Sequence, residues 1–267
     1  MTSLQVAGFS ASILIGVSLG LIGGGGSILT LPVLVYLLGF NPVISTAYSL
    51  FVVGTTSLVG SLNYMRQQQV NYEAAILFSV PSFVAVYLTR NYLIPAIPDP
   101  VFATDTLVLP KSVAIMVFFA LVMLAASVSM IRDKEVQDRP TTDEFQFNLP
   151  MIALDGVLVG LLTGIVGAGG GFLIIPALVL LIRLPMKMAV GTSLLIIAAN
   201  TLIGFWGSAA DLLIDWPFLL KFTTLSVLGI LLGTYLSRFI PGQKLKKAFG
   251  WFVLVMGVYI IGREVFL

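Results

Sequence analysis

No charged side chain precedes Arg66. A soluble domain carries about 25% charged residues, spread along its length. A chain that starts this way has too little polar surface to face water, so its outer faces must meet lipid. The whole sequence agrees, with 58% hydrophobic and 10% charged residues over 267 positions. A spanning helix needs about 20 apolar residues, so this length holds roughly eight to ten segments and no separate soluble domain. The start, Met1-Thr2-Ser3-Leu4-Gln5, lacks the basic n-region of a cleaved signal. The first apolar stretch is therefore expected to be retained.

Missing residue types narrow the chemistry. The chain has no cysteine and no histidine. That excludes thiolate and imidazole metal sites, a cysteine nucleophile and a Ser-His-Asp triad. No catalytic residue, metal site or cofactor is expected. The run Gly167-Ala168-Gly169-Gly170-Gly171 resembles a dinucleotide loop only superficially, because G-x-G-x-x-G would require glycine where Phe172 stands. A P-loop fails for want of Gly-Lys-Ser/Thr. The net charge of +2 singles out no partner. The expected partners are a small anionic substrate and the lipid bilayer, with no nucleic acid; a homo-oligomer is left open.

Ten segments emerge, giving an all-α polytopic membrane protein. They are Leu4–Ile22, Ser27–Leu38, Val43–Tyr64, Tyr72 to about Ile94, Lys111–Ile131, Leu149–Val166, Phe172–Ile182, Met188 to about Ala210, Trp216–Ile240 and Leu245–Gly262. The only strongly charged stretch, 132–148, separates residues 1–131 from 149–267 and is expected to be a cytoplasmic linker. The second part repeats the first. An offset of 144 pairs Gly16 with Gly160, Gly20 with Gly164, Gly23 with Gly167, Gly26 with Gly170, Pro32 with Pro176, Ser49 with Ser193 and Gly60 with Gly204. It also pairs Asn71-Tyr72 with Asp215-Trp216. Tyr87-Leu88-Thr89-Arg90 matches Tyr235-Leu236-Ser237-Arg238 at an offset of 148.

Basic residues favour cytoplasmic loops. With the linker inside, ten lysines and arginines fall inside and three outside (Arg90, Lys111 and Arg263), while Lys221 lies within the ninth segment. Each repeat has an odd number of segments, so the two are predicted to lie upside down relative to each other, as in many secondary transporters. Tyr72, Trp216 and Trp251 fit interfacial anchors.

The glycine runs break both repeats at the same place, each time before a short helix. About 12 residues make roughly 18 Å of helix, against a core of about 30 Å. Each glycine-broken hairpin is therefore expected to reach part-way, with its turn at membrane depth. The helix after the turn opens on N–H groups without intrahelical partners, at the positive end of the helix dipole. Glycine lets an anion approach them. The candidate substrate-binding residues are Gly24, Gly25, Gly26 and Ser27 with Gly169, Gly170 and Gly171. Ser49 and Thr56, two turns apart on one helix face, and their mates Ser193 and Asn200 add hydroxyl and amide donors. The plainer alternatives are close helix packing for the glycines and ordinary helix hydrogen bonding for the hydroxyls. Asp155 and Lys221 lie within membrane segments and are candidates for coupling; snorkelling or helix capping is the plainer reading of both.

The runs Gly20-Leu-Ile-Gly-Gly-Gly-Gly-Ser-Ile-Leu-Thr-Leu-Pro32 and Gly164-Ile-Val-Gly-Ala-Gly-Gly-Gly-Phe-Leu-Ile-Ile-Pro176 resemble a duplicated family signature, as do Ala47-Tyr48-Ser49-Leu50 and Val190-Gly191-Thr192-Ser193-Leu194. The family is that of sulfite exporters called TauE/SafE, also described as toluene-sulfonate uptake permeases. The likeness spans nearly the whole chain. It implies a secondary transporter of sulfur oxyanions or organosulfonates, such as sulfite or sulfoacetate, in the cell membrane. The alternatives are a passive anion channel, or a membrane-embedded enzyme or sensor.

Overall fold

The computed structural model describes residues 3–98, 100–104, 107–132, 149–166, 171–209 and 213–266. The charged linker, apart from Arg132, and the turn 167–170 lie outside the described residues. Ten principal helices follow in order: α1 Ser3–Ile22, α2 Gly25–Pro32, α3 Pro42–Arg66, α4 Tyr72–Leu88, α5 Lys111–Arg132, α6 Leu149–Val166, α7 Gly171–Pro176, α8 Met186–Ala209, α9 Trp216–Ser237 and α10 Gly242–Phe266. Among the described residues, six stretches are long and apolar enough to cross a membrane, one of them running past α4 from Tyr72 to Ala96; α1 and α6 hold shorter apolar runs, Ala7–Ile22 and Met151–Ile165. The ninth segment ends sooner than expected, at Ser237, and the tenth starts earlier, at Gly242. Among the described residues, the proline-rich stretch holds a departure from helix that the sequence did not suggest. Phe102–Thr104 pairs antiparallel with Leu107–Leu109.

Local chemistry explains the ends. Asn71 caps α4 by accepting from the Ala74 N–H at 2.8 Å, and Asp215 caps α9 by accepting from the Phe218 N–H at 3.1 Å. The short helices α2 and α7 each end on proline, and a π-helical turn follows, Val33–Leu37 and Ala177–Leu181. Proline has no N–H and its ring crowds the preceding turn. The ladder beyond it shifts by one residue, with Leu38 N–H donating to Val33 O at 3.1 Å and Ile182 N–H to Ala177 O at 3.2 Å. Both turns finish on a left-handed residue, Gly39 (φ 72°) and Arg183 (φ 61°). These positions are also 144 apart.

The most extensive packing is α1 on α9, α4 on α6, α3 on α8 and α5 on α10. Every such pair joins one repeat to the other. Position one of each repeat packs on position four of its mate, and positions three and five pack on their own mates. Glycine sets the closest crossings. A Cβ on Gly16 would strike Ser226 O, and one on Gly20 would sit 2.6 Å from Ile230 O. On the other pair, a Cβ on Gly156 would sit 2.7 Å from Phe78 O, and one on Gly160 would strike Ser82 O. Gly16, Gly20 and Gly160 thus let the helix backbones approach closely, as small residues do in membranes. The same contacts fix directions. Gly16 and Gly20 meet α9 in ascending order, so α1 and α9 run parallel, as do α4 and α6. Gly54 meets Leu202 while Gly60 meets Leu194, so α3 and α8 run antiparallel. Tyr48, Tyr64, Phe78, Phe222 and Phe249 fill the interior. Outward stand Leu220, Leu228, Leu231, Leu232, Tyr235 and Phe239, an apolar belt that water would not tolerate and lipid does.

Candidate functional site

At the first break, Gly23 takes φ 68°, a left-handed conformation that favours glycine. Its N–H still donates to Leu19 O at 2.7 Å, closing α1. Gly24 then opens α2 without any side-chain cap. The Ser27 N–H donates to Gly24 O at 3.2 Å and the Ser27 hydroxyl donates to the same oxygen at 2.6 Å. The first turn is thus wound tightly, and the hydroxyl proton of Ser27 is committed to it. Thr30 donates likewise to Gly26 O at 3.2 Å. Gly26 lies against α1, where a Cβ would stand 2.7 Å from Ile15 O.

This break meets the second repeat. A Cβ on Gly23 would lie 2.8 Å from Ser193 Oγ and 2.7 Å from Ile175 Cδ1. One on Gly171, the first residue of α7, would lie 3.2 Å from Ser27 Oγ and 2.9 Å from Ile197 Cδ1. Ser27 and Gly171 are themselves 144 apart. The starts of α2 and α7 therefore approach each other at positions 144 apart in sequence.

The sequence candidates divide accordingly. Ser27 and Gly171 come together at the α2 and α7 openings, and Ser193 lies by Gly23; Gly24 caps α2, Gly25 is its first residue and Gly26 lies against α1. Ser193 donates to Val190 O at 2.9 Å. Gly169 and Gly170 lie outside the described residues. On α3, Thr56 is buried and its Oγ1 has no hydrogen-bond partner among the described residues, as is true of Ser57 Oγ beside it. Ser49 and Asn200 are half-buried. Asp155 is buried in α6, and Lys221 is exposed on α9, lining an open groove with Phe9, Leu220, Thr224 and Leu225. Lys221 thus faces outward, apart from the openings. Among the described residues, the buried charged side chains are Asp155 and Lys246, and no group of three acidic residues could hold a metal ion.

Tyr64 is the polar side chain that the sequence did not single out, while Tyr48 and Thr192, which belong to the repeated motifs, take part in bonds between the repeats. Tyr64 is fully buried, with its OH 2.9 Å from Gly20 O and 2.9 Å from Ser237 Oγ. Tyr48 OH accepts from the Asp215 N–H at 2.7 Å, and Thr192 Oγ1 accepts from the Asn71 N–H at 3.0 Å. The available signal was the offset itself, since 48 and 192 are equivalent positions, as are 71 and 215.

A bundle of apolar helices, with six stretches among the described residues long enough to cross a membrane, defines a multi-pass membrane protein. The chain belongs to the family described as Sulfite exporter TauE/SafE, whose model matches residues 8–260, and is accordingly a membrane transporter. It is 29% identical to a "Probable membrane transporter protein" of Xylella fastidiosa (strain 9a5c), over 94% of this chain and 92% of that one. It is 25% identical to "Probable membrane transporter protein YunE" of Bacillus subtilis (strain 168), over 92% and 93% of the two chains. It is 33% identical to "Probable membrane transporter protein MJ0441" of Methanocaldococcus jannaschii, over 44% and 46%. No solved structure matches this chain.

Proposed function

We propose that the protein is a secondary carrier that exports a small sulfur-containing anion, sulfite or an organosulfonate, by alternating access of two inverted repeats. The observation that carries this reading is the contact of the two helix openings at Ser27 and Gly171. The first backbone N–H groups of a helix lack intrahelical carbonyl partners, and at α2 the glycines Gly25 and Gly26 leave them open to an approaching anion. Together with the helix dipoles they favour an anion without any lysine or arginine. The sulfur class and the outward direction rest on the family. The directions of the helices support inversion. If the repeats shared one orientation, α1 and α9 would run antiparallel; they run parallel. Thr56 and Asn200, at equivalent positions on α3 and α8, supply further polar groups near the crossing.

The experiment is uptake and efflux of labelled sulfite and sulfoacetate in proteoliposomes, with Gly25→Leu and Gly169→Leu as variants. The reading expects saturable flux in the unaltered protein and its loss in folded variants. Flux that never saturates would favour a passive pore, and unchanged flux in both variants would remove the helix openings from the site.

A further inference from the structure

We propose that Asp155 is the residue on which the carrier takes up and releases a coupling proton. The inference rests on the transporter reading and adds to it the ion that drives the cycle. Asp155 lies six residues into α6, roughly 9 Å along the axis. It is 5% exposed, and its Oδ2 has no hydrogen-bond partner among the described residues. Burial rules out snorkelling to an interface, and its place in the second turn of α6 rules out capping the start. A carboxylate in such a place requires a counter-charge or a bound proton.

Among the described residues, nothing around it supplies the counter-charge. No other ionisable side chain occurs on α6 itself. Helix α6 packs on α4, on the π-helical turn Thr89–Leu93, on α5, and on α7 with its π-helical turn. The last two carry no ionisable side chain. On the others, Tyr72, Glu73, Tyr87, Tyr92 and Arg132 are exposed. Lys111 donates to Ile97 O at 3.2 Å, and the side chain of Arg90 lies outside the described residues. A metal cation is disfavoured, because hard cations collect about six oxygen ligands and Asp155 offers one carboxylate. A proton needs only the free oxygen. Uptake forms an O–H bond at Oδ2 and turns the carboxylate into a neutral acid; release reverses it.

Two features tie this group to the transport machinery. The equivalent position in the first repeat is Ala11, so the charge belongs to one repeat alone. Its neighbour Gly156 meets Phe78 O at the α4–α6 crossing, and α6 leads directly into the second glycine break. Loading or unloading a charge here changes the energy of α6 against α4, and with it the position of α7.

The test uses full-length protein in proteoliposomes under an imposed pH gradient, with sulfite and with sulfoacetate, whose sulfonate keeps its charge throughout. The unaltered protein should accumulate anion against its gradient. Asp155→Asn should lose accumulation while exchange at equal pH persists, and Asp155→Glu should restore it. Accumulation by Asp155→Asn at the level of the unaltered protein would overturn the assignment. If neither anion moves in any protein, the sulfur reading fails, and infrared difference spectra between acid and alkaline buffer decide the proton site separately. A carboxyl band present in the unaltered protein, missing in Asp155→Asn and displaced in Asp155→Glu supports it; identical spectra for all three sink it.

Discussion

The Asp215 N–H donates to Tyr48 OH at 2.7 Å, and its equivalent, the Asn71 N–H, donates to Thr192 Oγ1 at 3.0 Å. In each case the residue that caps the fourth helix of one repeat is held by the third helix of the other. The two bonds lie near the starts of α3 and α8, which run antiparallel, so they pin opposite ends of the bundle. One is made by a phenol and the other by a threonine. The geometry therefore preserves the contact, not the side chain.

Tyr48→Phe and Thr192→Val each remove the acceptor and keep most of the volume. Interhelical hydrogen bonds in membranes contribute about 0.6 kcal/mol on average, and up to about 1.7. Each variant should lose stability in that range. The two losses should add, because sites more than about 7–10 Å apart without shared partners are independent. Reversible unfolding in mixed detergent measures this. A double variant much less stable than the sum would show the two ends to be coupled.

The glycines on the α1–α9 crossing permit close approach of two backbones. Gly16→Val puts a side chain onto Ser226 O, and overpacking of this kind costs typically 1–3 kcal/mol. Gly262→Ala is the control, since a Cβ there would meet nothing within 4 Å among the described residues. It should be neutral, or stabilising by up to about 1 kcal/mol through helix propensity. Thermal unfolding of the two variants side by side separates crowding from a general cost of replacing glycine.

Gly39 and Arg183 occupy equivalent left-handed positions at the ends of the two π-helical turns. Glycine holds that conformation freely, whereas another L-residue bears about 1–2 kcal/mol of strain. Arg183→Gly removes the strain but loosens the unfolded chain by roughly 0.5–1 kcal/mol. It should stabilise the protein by roughly 0.5–1 kcal/mol, and Gly39→Arg should destabilise it. A fall in the unfolding midpoint of Arg183→Gly would mean that the arginine side chain makes a contact outweighing its backbone.

How much of this was legible varied with the physics involved. Helices were plain because lipid demands long apolar runs, and the run from Val43 to Tyr64 leaves few alternatives. The offset of 144 was plain because the glycines and prolines recur in register. Which helix packs on which was not, since α1 and α9 are about 200 residues apart and both apolar on most faces. The role of Gly16 and Gly20 follows only from that pairing. The π-helical turns were hidden as well. Pro32 and Pro176 signal a disturbance, but the shift of the ladder is settled by where the chain must go next. At the site, the glycine breaks were readable, but the commitment of the Ser27 hydroxyl to Gly24 was not.

That commitment separates two ways of holding an anion. If hydroxyls did the binding, Ser27→Ala would remove a ligand. The hydroxyl proton already goes to Gly24 O at 2.6 Å, so Ser27→Ala should cost about 0.5–1.5 kcal/mol of stability and leave affinity for sulfite nearly unchanged. Gly171→Val does the opposite. Its added carbons stand where the two helix openings meet, 3.2 Å from Ser27 Oγ and 2.9 Å from Ile197 Cδ1 for the Cβ alone. Affinity should fall at least tenfold, about 1.4 kcal/mol. Ligand at a hundred times Kd adds about 2.7 kcal/mol to a protein that binds it, so a sulfite-dependent rise in unfolding temperature reports both variants. The unaltered protein and Ser27→Ala should show the same rise, and Gly171→Val little or none. The reverse order would move binding from the main chain to the hydroxyl.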